Sequence, residues 1–275
     1  MRPFLSHIVV IAAAVTGLAA PAFAKTPSAE EALAAAVDAP HRSTANKARD
    51  VYRHPAETLA FFGVKPTDTV VEIWPGGGWY TEILAPYLKD TGKLIVAAPT
   101  GRGSDSIAKV LDADPTIYGK VGRANFPTLM GGTGVAPGTA DAVLTFRNVH
   151  NWRMGSYSAD GADYSVAAFR ELYTMLKPGG VLGIEDHRLP EDASDERERN
   201  SGYIKVSTIR RLAEQAGFQF AGSSEVNANP KDRKDYPKGV WTLPPRLAEG
   251  DKDRDVYLAI GESDRMTLKF VKPLR

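Results

Sequence analysis

Three short stretches of this chain hold residue types that could do chemistry. Glu72-Ile73-Trp74-Pro75-Gly76-Gly77-Gly78 ends an apolar run with an acid and three glycines. Arg147-Asn148-Val149-His150-Asn151-Trp152 sets a base among amides and an indole, and Glu185-Asp186-His187-Arg188 sets two carboxylates beside an imidazole and a guanidinium. Gly76, Gly77 and Gly78 let backbone approach a ligand closely, and the free N–H groups that open a following helix favour an anionic group. A tight strand-to-helix turn needs glycine for its own sake as well. Glu72 is placed to orient that turn or to accept hydrogen bonds from a ligand. Asn148 and His150 offer donor and acceptor groups, and Trp152 offers a stacking face. An imidazole titrating near neutrality could take a proton from an oxygen or nitrogen nucleophile. The plainer alternative is that His150 and Trp152 only buttress their loop. Asp186 and His187 are adjacent on an extended segment and point to opposite faces, so they are not expected to form a dyad, whereas Glu185 and His187 share a side. The four histidines beyond residue 24 (His41, His54, His150, His187) show no metal-ligand spacing, so no metal site is expected.

Upstream, Arg42, Arg49 and Arg53 could clamp a carboxylate or phosphate. Salt-bridging on an exposed helix face is the favoured reading for them. The chain has no cysteine, so it has neither a thiol nucleophile nor a disulfide. Its net charge of +1 and the lack of a clustered basic face exclude an ordinary nucleic-acid binder. The mixed-sign run 191–199 reads as a solvated loop or helix face. Ser106-Ile107-Ala108-Lys109 matches Ser-x-x-Lys without its companion motifs, and no Gly-x-Ser-x-Gly elbow is present.

The elements that must position these residues follow from periodicity. Arg2, the apolar run Ile8–Ala20 and Ala22-Phe23-Ala24 read as a secretory leader, with cleavage expected after Ala24 and a periplasmic or secreted mature protein without stable membrane insertion; an uncleaved N-terminal anchor is the alternative. Helices are expected over 28–38 (capped by Ser28), 44–52 and 55–62, the last opened by Pro55 and closed by Gly63. Residues 25–63 then form a helical lid before a domain spanning 64–275. Unbroken apolar strands are read at 69–73, 93–98, 140–146 and 181–185, with extended segments at 218–226 and 265–271. Helices fall between them at 79–89, 104–111, 164–176 and from a cap at Ser207 to Gly217, while 117–121 is poorly patterned. Strand and helix alternating in this way give an α/β fold with a mostly parallel sheet covered on both faces. Ligands bind beyond the carboxyl ends of such strands, so residues 72–78, 99–102, 147–152 and 185–188 should converge on one crevice.

The first stretch resembles motif I of class I S-adenosylmethionine-dependent methyltransferases, an acid-x-Gly-x-Gly-x-Gly turn, with Glu72 as the acid, Trp74 replacing the first glycine, and Gly76 and Gly78 as the others. Thr139-Ala140-Asp141-Ala142-Val143-Leu144 resembles that family's fourth strand, Phe169 to Gly180 its "R-L-K-P-G-G" turn, and Ala213-Glu214-Gln215-Ala216-Gly217-Phe218 the entry to its sixth strand. The resemblance covers about 51–271. Segments "EIWPGGGW", "RNVHNW" and "EDHR" look like a bacterial, often exported, subgroup. It implies a Rossmann-like fold with a seven-stranded sheet, S-adenosylmethionine as cofactor and a small-molecule methyl acceptor. By the same resemblance Glu72, Trp74 and Gly76–Gly78 hold the methionine end, Asn148 faces the adenine, and His150 or His187 handles a proton. Two departures stand out. No carboxylate ends the second strand (Ile95-Val96-Ala97-Ala98-Pro99-Thr100), where the family grips the ribose, and the Trp74 ring either fills part of the pocket or stacks on something planar. The alternative is an exported, non-catalytic ligand-binding protein on the same fold.

Overall fold

Val70, Val71, Glu72 and Ile73 are all buried, because helices cover both faces of the strand they form. Val71 and Ile73 belong to one core cluster and Val70 to the other, the period-two sorting that a two-sided strand imposes. The structure is a computed structural model and describes residues 27–274. The leader expected at 1–24 lies outside the described residues.

Four helices come first: α1 (Ala29–Val37), α2 (Thr44–Lys47), α3 (Asp50–Arg53) and α4 (Pro55–Phe62). The expected helix over 44–52 is thus two short ones. Then follow β1 (Thr69–Ile73), α5 (Thr81–Leu88), β2 (Lys93–Ala98), α6 (Arg102–Ala113), α7 (Pro115–Tyr118) and β3 (Gly122–Asn125). The second half runs β4 (Ala140–Phe146), α8 (Val149–Arg153), α9 (Ser165–Met175), β5 (Leu176–Leu189), α10 (Asp195–Asn200), β6 (Ile204–Lys205), α11 (Val206–Ala216), β7 (Gln219–Ser224), α12 (Arg254–Ile260) and β8 (Arg265–Val271).

The sheet order is β3-β2-β1-β4-β5-β8-β7, with β6 pairing the end of β5. Strands β1 to β5 are parallel, and β8 is antiparallel to both neighbours. This is the expected Rossmann-like arrangement with helices around the sheet, but with eight strands rather than seven, because the two-residue β6 adds to the main row. Strand β3 carries a single apolar residue (Ala124) and is defined by its ladder to β2, so periodicity could not show it. The cap expected at Ser207 is not there. Helix α11 starts at Val206, and Ser207 N–H donates instead to Glu191 at 3.1 Å.

The N-terminal helices share the sheet's core. Leu59 and Phe62 of α4 are fully buried in the cluster that holds Val70 and Leu144. Ser28 caps α1 reciprocally with Glu31. No helix among the described residues is long and apolar enough to cross a membrane. Gly183 of β5 lies directly under Phe62, and a Cβ there would meet that ring at 2.7 Å and Leu144 Cδ2 at 2.8 Å. Gly183→Ala is therefore expected to destabilise the fold by about 1–3 kcal/mol through overpacking, read as a lowered midpoint in urea unfolding with an unchanged slope.

Candidate functional site

Beyond the end of β1 the chain turns on a left-handed residue. Trp74 has φ 51°, a conformation that glycine adopts freely and an indole-bearing residue does not. Local partners hold it there. Its N–H donates to the Ala97 carbonyl at 2.8 Å, and its indole N–H donates to the Phe126 carbonyl at 2.9 Å. Asn148 Nδ2 donates to the Ile73 carbonyl at 3.0 Å and to Thr145 Oγ1 at 3.1 Å, tying the turn to β4. The ring lies edge-on to Trp152 and Tyr157. The same turn needs positive φ at Gly76 and Gly78, and a Cβ on Gly78 would crowd Val110 at 3.1 Å. Gly77 is different: its φ is ordinary and nothing lies within 4 Å of where a Cβ would be. Neither the backbone nor packing requires glycine at 77. The open space beside Gly76 and Gly77 faces a cavity, and their N–H groups have no backbone acceptor among the described residues.

That cavity, about 390 Å³, is bordered by the ends of β1, β4 and β5, by α3, and by the segment 240–246. Glu72, Trp74, Gly76, Gly77, Asn148, His150 and His187 all line it; Gly78 does not, and packs on Val110 and Ile107 instead. A second cleft of about 340 Å³ lies past Trp74, at the end of β2, where Pro99, Arg102 and Ser106 stand in place of a carboxylate. Trp74, Gly76, Asn148 and Asn151 border both hollows, so the indole is a partition between them. The expected convergence therefore holds in part, as two adjoining spaces: Glu72, Trp74–Gly77, Arg147, Asn148, His150, Asn151 and His187 meet in one, Pro99 and Arg102 reach the other, and Gly78, Trp152, Glu185, Asp186 and Arg188 line neither.

Glu72 is buried and accepts the Thr81 hydroxyl at 2.6 Å. Burial pushes its carboxyl up to about 7, the Thr81 hydrogen bond opposing only in part. His150 is buried where α8 meets β5. Asp186 accepts its backbone N–H at 3.1 Å and lies 2.7 Å from its Nδ1. A carboxylate only accepts, so Nδ1 donates to it, and Nε2 is the ring nitrogen left free in the cavity wall. Asp186 thus pairs with His150 across elements, while its neighbour His187 turns to Ser263, with Nδ1 at 2.5 Å from the hydroxyl. The His150 and His187 rings are 5.1 Å apart. Burial holds His187 well below the ordinary histidine value, and His150, Arg147, Arg265 and Arg53 push it the same way, so it is neutral at pH 7.

His150, Asp186 and His187 bring ligand atoms within 4.8 Å of one another, a cluster that sequence spacing did not announce. Asp186 is already spent on His150 and on the His187 N–H. A cation would also sit in the field of three arginines. The group is better suited to proton handling than to holding a metal.

Arg42 and Arg53, expected on an exposed face, are 3% and 1% exposed. Arg42 grips Asp50 in a two-bond fork (2.7 and 2.8 Å), and Arg53 donates from Nε to Glu262 at 3.0 Å while its guanidinium covers the Trp79 ring. Trp152 is also corrected. It is fully buried against Phe126 and Phe169 and has no face to offer a ligand. Trp241, Glu262 and Ser263 were missed, because the segment between β7 and β8 has no periodicity to place it over the sheet.

The sheet order, the reversed β8 and the hollows beyond β1, β2 and β4 together decide the fold. The chain has the class I methyltransferase fold. It is similar to a SAM-dependent methyltransferase from Aquifex aeolicus at 14% identity, over 82% of this chain and 93% of that one, with a TM-score of 0.53. An arsenic(III) S-adenosylmethionine methyltransferase from Chlamydomonas reinhardtii matches at 14% identity over 91% and 74%, with a TM-score of 0.51. The (4+2) cyclase SpnF matches at 13% identity over 90% and 97%, with a TM-score of 0.56. No protein-family model and no curated protein matches the chain.

A carboxyl raised from 4.5 to about 7 keeps its proton in the folded chain at pH values where the unfolded chain has released it. Folding is then disfavoured progressively between about pH 4.5 and 7, and by a constant amount above. Glu72→Gln keeps an acceptor for Thr81 and removes the titration. Its stability relative to wild type is expected to rise by up to about 3 kcal/mol from pH 4.5 to pH 8, read by urea unfolding across that range. A flat difference would mean that Glu72 titrates normally.

Proposed function

We propose that this protein transfers a methyl group from S-adenosylmethionine to a small-molecule acceptor. One observation carries the reading. An imidazole oriented by a buried carboxylate presents its free Nε2 to the same cavity that the open glycine cradle faces. The residues present fit the cofactor. The N–H groups of Gly76 and Gly77 and the carboxyl of Glu72 would hold its methionine end, with Asn148 beside them. Asn151, Ser156 and Ser106 would meet the nucleoside in the adjoining cleft. Neutral hydrogen bonds there replace the carboxylate that ends the second strand in relatives of this fold, and they hold hydroxyls less tightly. When bound, the cofactor supplies an electrophilic methyl group on a sulfonium. The chain's own contribution is to orient the acceptor and take its proton at His150 Nε2, with Asp186 stabilising the imidazolium that forms. His187, kept neutral, orients rather than ionises. The Ala22-Phe23-Ala24 leader would place this chemistry outside the cytoplasm, with Lys25 as the mature N-terminus.

The missing second-strand carboxylate and the Trp74 partition favour a second reading, an exported binding protein without turnover. Calorimetry with S-adenosylmethionine and S-adenosylhomocysteine separates them in part, since no heat at about millimolar ligand retires the methyltransferase. Gly77→Ala is expected to keep the wild-type melting temperature, because a Cβ there meets nothing, yet to weaken S-adenosylmethionine binding at least about tenfold. Turnover itself is read by transfer of labelled methyl from S-adenosylmethionine into a small-molecule extract. His150→Gln should lower it by about 100- to 10,000-fold with cofactor binding unchanged. Transfer that survives His150→Gln would remove the base from this scheme.

A further inference from the structure

We propose that the acceptor carries an oxyanion, a carboxylate or a phosphate, and that Arg147 and Arg53 bind it in the deep cavity. Four guanidiniums from distant parts of the chain meet below that cavity: Arg49 and Arg53 at α3, Arg147 at the end of β4, and Arg265 at the start of β8. Two carboxylates face them. Glu262 lies 2.6 Å from Arg49, 3.0 Å from Arg53 and 3.2 Å from Arg265, and Glu185 lies 2.9 Å from Arg265. Four positive charges thus face two negative ones, a surplus of two, and Arg147 alone of the four has no ion pair among the described residues.

Their location is specific. Arg147 lines the cavity and makes no side-chain hydrogen bond or ion pair among the described residues. It is also held at φ 64°, a left-handed conformation costly for a residue with a long side chain, directly after β4. Arg53, 1% exposed, spends only Nε on Glu262, and its Nη1 and Nη2 are buried with no acceptor. Buried guanidinium donors left unpaired are costly, and folded proteins keep them where something else completes the bonds. Asp186 is engaged by His150 and by the His187 N–H, and Glu72, which also lines the cavity, accepts the Thr81 hydroxyl and is pushed by burial towards its neutral form.

A cation is repelled by this arrangement, and a neutral ligand leaves the charges unpaired. An oxyanion answers both, since carboxylate and phosphate oxygens accept in the fork geometry of a guanidinium. Arg147, His150 and His187 border one cavity, so an acceptor anchored by its anion would turn its nucleophile towards His150 Nε2. The inference rests on reading this cavity as the acceptor pocket, but its test needs no S-adenosylmethionine.

The probes are inorganic phosphate and malonate, added to the mature protein in chloride buffer at constant ionic strength without cofactor. One or both are expected to give saturable heat and to raise the melting temperature by about 3 °C or more at ten times the Kd. Arg147→Gln should melt at or above the wild-type temperature before anion is added, since it removes an unpaired, half-buried charge from a cluster with surplus positive charge. It should bind the anion at least about tenfold more weakly. Arg147→Lys, which keeps the charge and loses the fork, should fall between the two, and it decides the matter if Arg147→Gln does not fold. A response to phosphate alone assigns a phosphoryl-bearing acceptor, and a response to malonate alone a carboxylate. No response of the wild type to either anion overturns the proposal, as does undiminished binding by both variants. Anion binding without S-adenosylmethionine binding leaves this inference standing and removes methyl transfer; the reverse result does the opposite.

Discussion

Glu262 is the charge around which the site is built. Burial alone would raise its carboxyl, but Arg53, Arg265, Arg147 and Arg49 outweigh it and hold the group down at about 2. Arg49 and Arg53 reach it from more than 200 positions away in sequence, so one carboxylate fastens the N-terminal helices to the approach of the last strand. Removing it would leave Arg53 buried with no ion-pair partner and take from Arg49 its carboxylate, a far larger loss than any exposed ion pair represents. The same positive surplus reaches His187 and, with burial, keeps it uncharged. Stability and site electrostatics therefore share one origin.

Strain marks the same place. Trp74 and Arg147 end neighbouring parallel strands, and both take left-handed backbone that non-glycine residues avoid. Each is held by its surroundings. Asn148 and the Phe126 carbonyl fix the tryptophan turn, and the Arg147 N–H donates to the Glu185 carbonyl at 2.7 Å. The effect is a partition with a hollow on either side and a guanidinium set at the wall of the deeper one. A glycine at 74 would make the turn without strain and without the wall.

The fold by itself leaves the chemistry open. Two of the similar structures are methyltransferases and a third is a (4+2) cyclase, all at 13–14% identity. What argues for proton handling in this chain is local: Asp186 fixing the His150 tautomer, and a cavity wall that leaves Nε2 free.

Much of the scaffold was legible in the sequence because it is written in local patterns. β1, β2, β4 and β8 follow the apolar runs, Ser28 and Gly63 end helices as their side chains or lack of one dictate, and strand–helix alternation fixed the parallel sheet. Even the crevice followed, since strand ends in a parallel sheet must meet at one rim. The edge strand β3 and the short β6 were not readable, because hydrogen bonds to a neighbour make them strands and their own side chains do not. The site's electrostatics was equally hidden. Arg53 looks like a surface residue until Glu262 and Trp79 enclose it, and nothing along the chain pairs Asp186 with His150 until α8 brings that ring to it. Periodicity records which face of an element is buried. Only tertiary packing decides which charges are shut in together, since Coulomb energy depends on distance in space and local dielectric rather than on separation along the chain.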